Sequence, residues 1–283
     1  MAERDWYDWH APYEDPSSGL SLRLTWVQDR IRAALDEAPA GPIRVISMCA
    51  GQGHDVLGAL LGHPRRGDVT ARLVELDPRN TEAARKTAAA SGLDNVEVVT
   101  GDAALTSQYT GLTPANVVLA CGMFGNMTDG CVERVISYCT QLCAAGGTVI
   151  WTRARSRFEL GGPAPVPQAC AWFEERGFDR VWVSDPGYEA CCGAHRFTAS
   201  PAPLEPDATM FTFRPFRATR PLYGAGLVRE SASASASTRR SALHRACRSD
   251  VCTCQRTPSA WAGRGEGLFG GCQGRGERRL AFP

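Results

Sequence analysis

Between residues 20 and 216, segments with a helical spacing of apolar residues alternate with short apolar runs. The first helix is predicted by apolar residues at steps of three and four, namely Leu20, Leu24, Val27, Ile31 and Leu35. Further helices are predicted at 54–61, 80–90, 131–143 and 167–176, and strands at 43–48, 71–76, 96–100, 115–120, 148–152, 178–184 and 195–199. This order predicts an α/β fold in which helices cover both faces of a mostly parallel, seven-stranded sheet.

Both ends of the chain depart from this pattern. Residues 1–19 hold four aromatic side chains close together, Trp6, Tyr7, Trp9 and Tyr13, among prolines. We predict an arm that covers the mouth of the sheet as a lid, with simple docking of a terminal segment as the alternative. Residues 217–283 are rich in Arg, Ser, Ala and Gly, and they bury too little apolar surface to offset the entropy of ordering. We therefore predict a disordered tail that is dispensable for folding.

Composition and charge narrow the class of protein. Hydrophobic residues make up 43% and charged residues 22%, as in globular proteins. The net charge of +1 divides into −7 for residues 1–216 and +8 for the tail, so the body has no excess of cations to follow a phosphate backbone. The predicted partner is a small molecule, and nucleic acid is disfavoured.

The sequence also predicts where the protein is located and whether its cysteines bind a metal ion. The start is charged and has no secretory signal pattern, and the apolar stretch 135–152 is broken by Gln141 and a Gly-Gly pair. A cytoplasmic protein that does not span a membrane is expected. The twelve cysteines are scattered, and those of the tail match no paired metal-binding spacing, so no metal site is predicted.

The first predicted strand ends in a glycine turn, Cys49-Ala50-Gly51-Gln52-Gly53. Glycine permits positive φ there and lets a ligand approach the backbone, at the edge where open α/β sheets bind ligands. A dinucleotide fingerprint would need a third small residue where Val56 stands, which disfavours a nicotinamide dehydrogenase. A tight turn without a ligand is the alternative for this motif taken alone.

Two carboxylates follow the next two predicted strands. Glu75 ends the second strand, where a carboxylate can accept hydrogen bonds from both ribose hydroxyls. Asp102 follows the third strand, where it can accept from an adenine amine. Either acid alone is expected in a solvated loop or at a helix cap. Ligand-type signals at three successive strand ends favour a nucleoside-binding site.

With these motifs, residues 20–213 resemble the class I S-adenosylmethionine-dependent methyltransferases. The resemblance implies a Rossmann-like fold and S-adenosylmethionine as the cofactor. The turn backbone would hold its amino-acid part, Glu75 the ribose, and Asp102 with Ala103 the adenine. Cys121 and Gly122 would lie beside the methyl group. The predicted cofactor-binding residues are Cys49, Ala50, Gly51, Gln52, Gly53, Glu75, Asp102, Ala103, Cys121 and Gly122.

Details of the motifs refine this resemblance. The chain has Ser47 and Cys49 where the family usually has an acid and a further glycine. The fourth strand is followed by Cys121-Gly122-Met123, unlike the Asn/Asp-Pro-Pro-Tyr motif of adenine and glutamine methyltransferases. Cys121 follows Ala120 and lacks the proline that precedes the nucleophile of cytosine-C5 enzymes, so we interpret it as a small buried residue. The closest likeness is to uncharacterised small-molecule methyltransferases of GC-rich bacteria.

The predicted activity is transfer of a methyl group from S-adenosylmethionine to a small acceptor, on oxygen or nitrogen in preference to carbon. Predicted substrate-binding residues are Trp9, His10, Tyr13, Met123 and Phe124. His10 is the candidate general base, ahead of His195 and Asp129, and His54 is expected near the cofactor. The alternatives are a non-catalytic scaffold of the same fold and an RNA methyltransferase that uses the basic tail.

Overall fold

The computed structural model of the chain describes residues 5–154, 165–185 and 190–214. Its sheet has seven strands, which confirms the predicted number. They are β1 Ile43–Met48, β2 Val69–Glu75, β3 Val96–Thr100, β4 Ala115–Ala120, β5 Cys143–Ala154, β6 Phe178–Val183 and β7 Ala190–Phe197. The strand order is β3-β2-β1-β4-β5-β7-β6. The pairs among β1 to β5 are parallel, and β7 runs antiparallel to both β5 and β6.

The helices cover both faces of the sheet, as predicted. They are α1 Gly19–Glu37, α2 His54–Leu60, α3 Pro78–Ala90, α4 Asp129–Leu142 and α5 Pro165–Glu174, with 3-10 turns at Asp8–Glu14, Arg66–Asp68, Thr106–Tyr109 and Phe124–Asn126. One buried apolar cluster joins α1, α2 and α3 to one face, and a second joins α4 and α5 to the other. Side-chain caps begin several helices, as where Ser18 accepts from the backbone N–H of Ser21 at 3.0 Å.

The strand register brings three of the predicted motifs to one edge. Met48 pairs with Val74, and Glu75 pairs with Thr100, so β1, β2 and β3 end almost level. β1 lies between β2 and β4, where the strand order reverses and a crevice opens beyond the carboxyl ends. This is the region in which a doubly wound sheet binds its ligand.

Three strands begin earlier than predicted, and β2 begins two residues early, at Val69. β5 begins at Cys143, ahead of the Gly-Gly pair, and its pairing with β4 is irregular there. β7 begins at Ala190, and its first half is made of small residues that carry little β-propensity. Pairing of this half with β5, from Ala190 to Gly193, compensates for the weak local preference.

In the part of the chain that the structure describes, no helix is long and apolar enough to cross a membrane. The predicted tail, 217–283, lies outside the described residues. The boundaries predicted for the arm, the central domain and the tail remain predictions.

Candidate active site

A cavity of about 400 Å³ opens beyond the carboxyl ends of β1, β2 and β4. Small-molecule sites have volumes of this order. Its walls include twelve of the side chains or backbone segments that the sequence singled out. These are Trp9, His10, Tyr13, Cys49, Ala50, Gly51, Glu75, Asp102, Ala103, Cys121, Gly122 and Met123.

The glycine turn is built as its sequence predicts. Gly51 has a φ of 55° and Gly53 a φ of 75°, a region that favours glycine. Cys49 also has a positive φ, of 51°, although it carries a side chain. Gly53 closes the turn by donating its N–H to the carbonyl of Ala50 at 2.9 Å. Gln52 and Gly53 do not line the cavity, so the turn contributes only Cys49, Ala50 and Gly51 to its wall.

Glu75 connects the glycine turn with the loop after β2. Its Oε2 accepts the backbone N–H of Gly51 and its Oε1 that of Asp77, each at 2.9 Å. Both bonds fix the carboxylate at the cavity wall, where each oxygen keeps a lone pair for a ligand. Asp102 is exposed, and its Oδ1 accepts from the N–H of Ala104 at 2.9 Å.

The part of the arm that the structure describes, residues 5–19, contacts the glycine turn through His10. Trp6, Trp9, His10 and Tyr13 all line the cavity. His10 is so close to Gly51 that a Cβ added at that glycine would collide with the imidazole. The arm therefore packs on the glycine turn. Position 51 favours glycine because its φ is positive and because a side chain there would collide with His10.

An ion-pair network holds the start of the arm against α3. Arg79 donates to both carboxylate oxygens of Asp5 at 2.9 Å and also to Asp77, and its guanidinium lies 5.3 Å from the Tyr7 ring. The hydrogen bond from Arg79 lowers the pKa of Asp5 to about 2. This network is solvent-exposed, so we assign it a modest contribution to stability.

His10 is held in one orientation by its own segment. Its Nδ1 lies 2.7 Å from the carbonyl of Trp6, and because a carbonyl only accepts, Nδ1 carries the proton. Burial lowers the pKa of His10, the bond to Trp6 opposes that shift, and Arg23 adds to it. The ring is therefore neutral near pH 7, with Nε2 as an acceptor.

His54 lies beside the arm, 4.9 Å from the Tyr13 ring and 6.2 Å from the His10 ring. Burial, and then the neighbouring His10, lower its pKa. Its Nε2 contacts the Oε1 of Gln52 at 3.2 Å. His54 does line the cavity.

Two charged residues of the cavity wall were missed by the sequence analysis. Arg23 of α1 is 5% exposed, and its Nη2 donates to the Tyr13 hydroxyl at 2.5 Å. Asp55 lies in the first turn of α2. A signal for Arg23 was present, since it lies three residues after Leu20 and four before Val27, on the apolar stripe of the helix.

A second missed part of the wall is the segment that follows β7. Thr209, Phe211, Thr212 and Phe213 line the cavity. Backbone hydrogen bonds position this segment, as where Met210 donates to the carbonyl of Ala104 at 2.8 Å. An irregular segment has no periodicity, so the sequence offered no signal for this role.

Three candidates lie away from the cavity. Phe124 is 1% exposed and stacks at 6.3 Å on the core residue Trp151, so the prediction that it binds substrate is not supported by its position. His195 is fully buried, accepts from Trp151 at 3.0 Å, and has a pKa that burial lowers to about 4. Asp129 is ion-paired with Arg153 at 2.6 Å.

Cys121 has the properties of a buried thiol. It is 7% exposed, and burial followed by the nearby Asp55 raises its pKa well above the usual cysteine value. The thiolate required of a nucleophile is therefore disfavoured. In the described ranges, no group of three or more His, Cys, Asp or Glu side chains is arranged to hold a metal ion.

A family model described as "Putative methyltransferase" matches residues 17–156, the part of the chain that contains the turn and both strand-end carboxylates. The fold is similar to that of solved methyltransferase structures. Over those residues, the match supports a class I S-adenosylmethionine-dependent methyltransferase.

Solved structures show how far the likeness extends. An O-methyltransferase family protein from Burkholderia thailandensis is 18% identical, with a TM-score of 0.48, over 61% of this chain and 56% of that one. The CurJ carbon methyltransferase is 17% identical, with a TM-score of 0.51, over 62% and 54%. Magnesium protoporphyrin IX methyltransferase from Synechocystis PCC 6803, with bound S-adenosylmethionine, is 12% identical with a TM-score of 0.51, over 70% and 99%.

The chain spans little more than half the length of these first two structures. At these identities the likeness is one of fold. No curated protein sequence matches the chain.

Proposed function

We propose that this protein transfers a methyl group from S-adenosylmethionine to oxygen or nitrogen of a small, flat, largely apolar acceptor. One observation carries the proposal. The cavity is lined both by carboxylates at strand ends and by an aromatic arm, within a volume suited to small molecules.

The residues at the strand ends fit the nucleoside part of the donor. Glu75 is held by two backbone N–H groups with its oxygens at the cavity, which suits a ribose diol. Asp102 offers a free carboxylate oxygen beside the backbone of Ala103, which suits an adenine amine. Leu76 is 69% exposed at the same wall and offers an apolar surface for the base. When bound, S-adenosylmethionine supplies a methyl group activated by its sulfonium.

The acceptor is proposed to lie beneath the arm. Trp6, Trp9 and Tyr13 provide rings that can stack on a flat molecule, and Phe211 and Phe213 provide an apolar wall from the segment after β7. Together these groups exclude water and orient the acceptor, which is the main contribution that a methyltransferase makes to displacement. The acceptor atom would form the new bond to the methyl carbon with its lone pair while the bond from that carbon to sulfur breaks and its electron pair stays on sulfur. Any proton that the acceptor releases needs a base.

His10 is the proposed base for that proton. Its Nε2 is unprotonated and lies at the glycine turn, within the cavity wall. The proton would pass from the acceptor to Nε2 while Trp6 holds Nδ1–H.

Binding and turnover separate this proposal from its alternatives. Calorimetry with S-adenosylhomocysteine and with NAD distinguishes a methyltransferase site from a dehydrogenase site. Assays of the full chain on a metabolite panel and on tRNA then separate an enzyme from a scaffold. Methylation of tRNA with no metabolite accepted would overturn the small-molecule class, and donor binding without any transfer would support the scaffold.

Removal of residues 1–15 is expected to reduce kcat/KM for the acceptor found in that panel by about 100-fold or more, because the wall that orients it is lost. Affinity for methylthioadenosine, which needs only the strand-end carboxylates, should change little. A chain that lacks only residues 1–4 keeps Trp6, Trp9, His10 and Tyr13 and serves as the control. If the chain that lacks residues 1–15 has the parental kcat/KM, the prediction that the arm acts as a lid is wrong.

The His10→Gln variant is expected to remove the acidic limb of the pH profile. A base works when deprotonated, and the pKa of His10 lies below the ordinary value of 6.5, so parental kcat/KM should fall only as the pH drops below that value. The variant should turn over more slowly and show no such fall. If the same limb persists in His10→Gln, another group is the base.

A further inference from the structure

The loop that follows β4, residues 121–126, contributes an uncharged section of the cavity wall. Its lining residues are Cys121, Gly122, Met123 and Asn126. Neither this loop nor residues 208–213, which follow β7, contain a charged side chain. Asn126 has the one carboxamide in these two segments. It is therefore the group best suited to bind a neutral polar partner in this part of the cavity.

Hydrogen bonds hold Asn126 in place. Its backbone N–H donates to the carbonyl of Met123 at 3.0 Å, and its carbonyl accepts from the N–H of Arg214 at 2.9 Å. Its side-chain Nδ2 donates to the carbonyl of Gly122 at 3.3 Å. Gly122 is itself fixed, because its N–H donates to the Thr152 hydroxyl at 2.7 Å. The carboxamide therefore has a defined position beside the end of β4.

The same contact assigns the orientation of the amide. A carbonyl oxygen only accepts, so the atom that contacts the Gly122 carbonyl is the amide nitrogen. Among the residues that the structure describes, none donates a hydrogen bond to the Oδ1 of Asn126. An amide oxygen has two lone pairs, and because Asn126 lines the cavity, Oδ1 is available to a ligand there.

The wall next to Asn126 is aromatic. The hydrogen bond from Arg214 joins Asn126 to the segment in which Phe211 and Phe213 line the cavity, with ring centroids 5.4 Å apart. Such rings pack against a planar apolar molecule, while an amide oxygen binds a donor at its edge. A charged group would find no counterion in these two segments, so this part of the wall favours a neutral acceptor.

We propose that Asn126 is a specificity-determining residue and that the acceptor carries two polar groups. One is the atom that receives the methyl group, whose proton passes to His10. The other is a neutral N–H or O–H that donates to the Oδ1 of Asn126, since a proton given to His10 is not available for that bond. The acceptor is then a neutral, planar aromatic or heteroaromatic molecule with a second donor group. This inference deepens the proposed function and rests on it.

Three kinds of planar probe separate the two polar groups. Naphthalenediols carry two hydroxyls, their monomethyl ethers keep one, and 2-naphthol lacks the second oxygen altogether. Diols with several spacings between the hydroxyls are included. Calorimetry measures the affinity of the full chain, saturated with S-adenosylhomocysteine, for each probe. The variants are Asn126→Leu and Asn126→Ser, with Asn95→Leu as the matched control, because Asn95 is exposed and does not line the cavity.

The parent is expected to bind at least one diol about three- to tenfold more tightly than its monomethyl ether, the difference that one hydrogen bond between neutral groups makes. In Asn126→Leu this preference should disappear, because the oxygen that accepts from the second hydroxyl is lost. Affinities for the ether, 2-naphthol and S-adenosylhomocysteine should stay at the parental values. Asn95→Leu should match the parent for every ligand.

Two results would overturn this role of Asn126: a parent with no preference for any diol, or a preference that persists in Asn126→Leu. An equal loss of affinity for all naphthalene probes would also overturn it, since such a loss indicates a structural role. If Asn126→Leu fails to fold, Asn126→Ser decides by the same criteria. A parent that does not bind S-adenosylhomocysteine, or that binds it but no naphthalene probe, would contradict the proposed function itself, which is a distinct outcome.

Discussion

The Glu75→Gln variant is expected to lose about 10- to 150-fold in affinity for S-adenosylhomocysteine. Both carboxylate oxygens of Glu75 accept backbone N–H groups, and the same oxygens face the cavity. An amide places an NH₂ group against one of these donors and removes the charge that strengthens bonds to a ribose. Hydrogen bonds to a charged group contribute about 1.5–3 kcal/mol, which corresponds to this range. Isothermal titration calorimetry provides the measurement.

Two further variants show whether the loss is specific. Glu97→Gln removes an exposed carboxylate that is paired with Arg72 at 2.7 Å on the neighbouring strand, and it should bind like the parent. Asp102→Ala should weaken binding less than Glu75→Gln, because Asp102 is exposed and solvent competes for its oxygens. Equal affinities for the parent and Glu75→Gln would remove Glu75 from the site.

The Gly51→Ala variant is expected to release the aromatic arm and to lower the free energy of unfolding by more than the cost of its backbone conformation. Alanine at a φ of 55° costs about 1–2 kcal/mol. In addition, its Cβ would occupy the space of the His10 imidazole, so the arm must move away. Urea unfolding measures the first effect, and chymotrypsin cleavage after the arm aromatics measures the second.

Gly122→Ala provides the matched control for this variant. Gly122 also lines the cavity and has a positive φ, of 74°, but a Cβ added there meets nothing within 4 Å. The Gly122→Ala variant should therefore lower the free energy of unfolding by the cost of its backbone conformation alone. Its arm should stay protected from chymotrypsin. In the double variant with His10→Ala the collision is absent, so the two changes should be non-additive. Equal arm protection in Gly51→Ala and Gly122→Ala would contradict the contact.

The sequence by itself determined the architecture and predicted that the glycine turn and the strand-end carboxylates lie together, where they line the cavity. Buried strands produce apolar runs and amphipathic helices produce a three-to-four spacing, so β1, β3 and β4 were predicted at their observed bounds. Glu75 and the glycine turn could be placed together because parallel strands end at one edge of a sheet. These inferences depend on the local pattern of apolar residues and on the order of the elements, and both can be read from the linear sequence.

Only the tertiary structure decided which side chains enclose the cavity. Phe124 and His195 have residue types suited to a site, yet packing around Trp151 places them in the core. Arg23, by contrast, reaches the cavity because α1 packs on α2. The arm and the segment around Phe211 are irregular, and contacts distant in sequence position them, as between Met210 and Ala104. Such contacts leave no periodic trace along the chain, because their geometry exists only once the sheet and its helices have assembled.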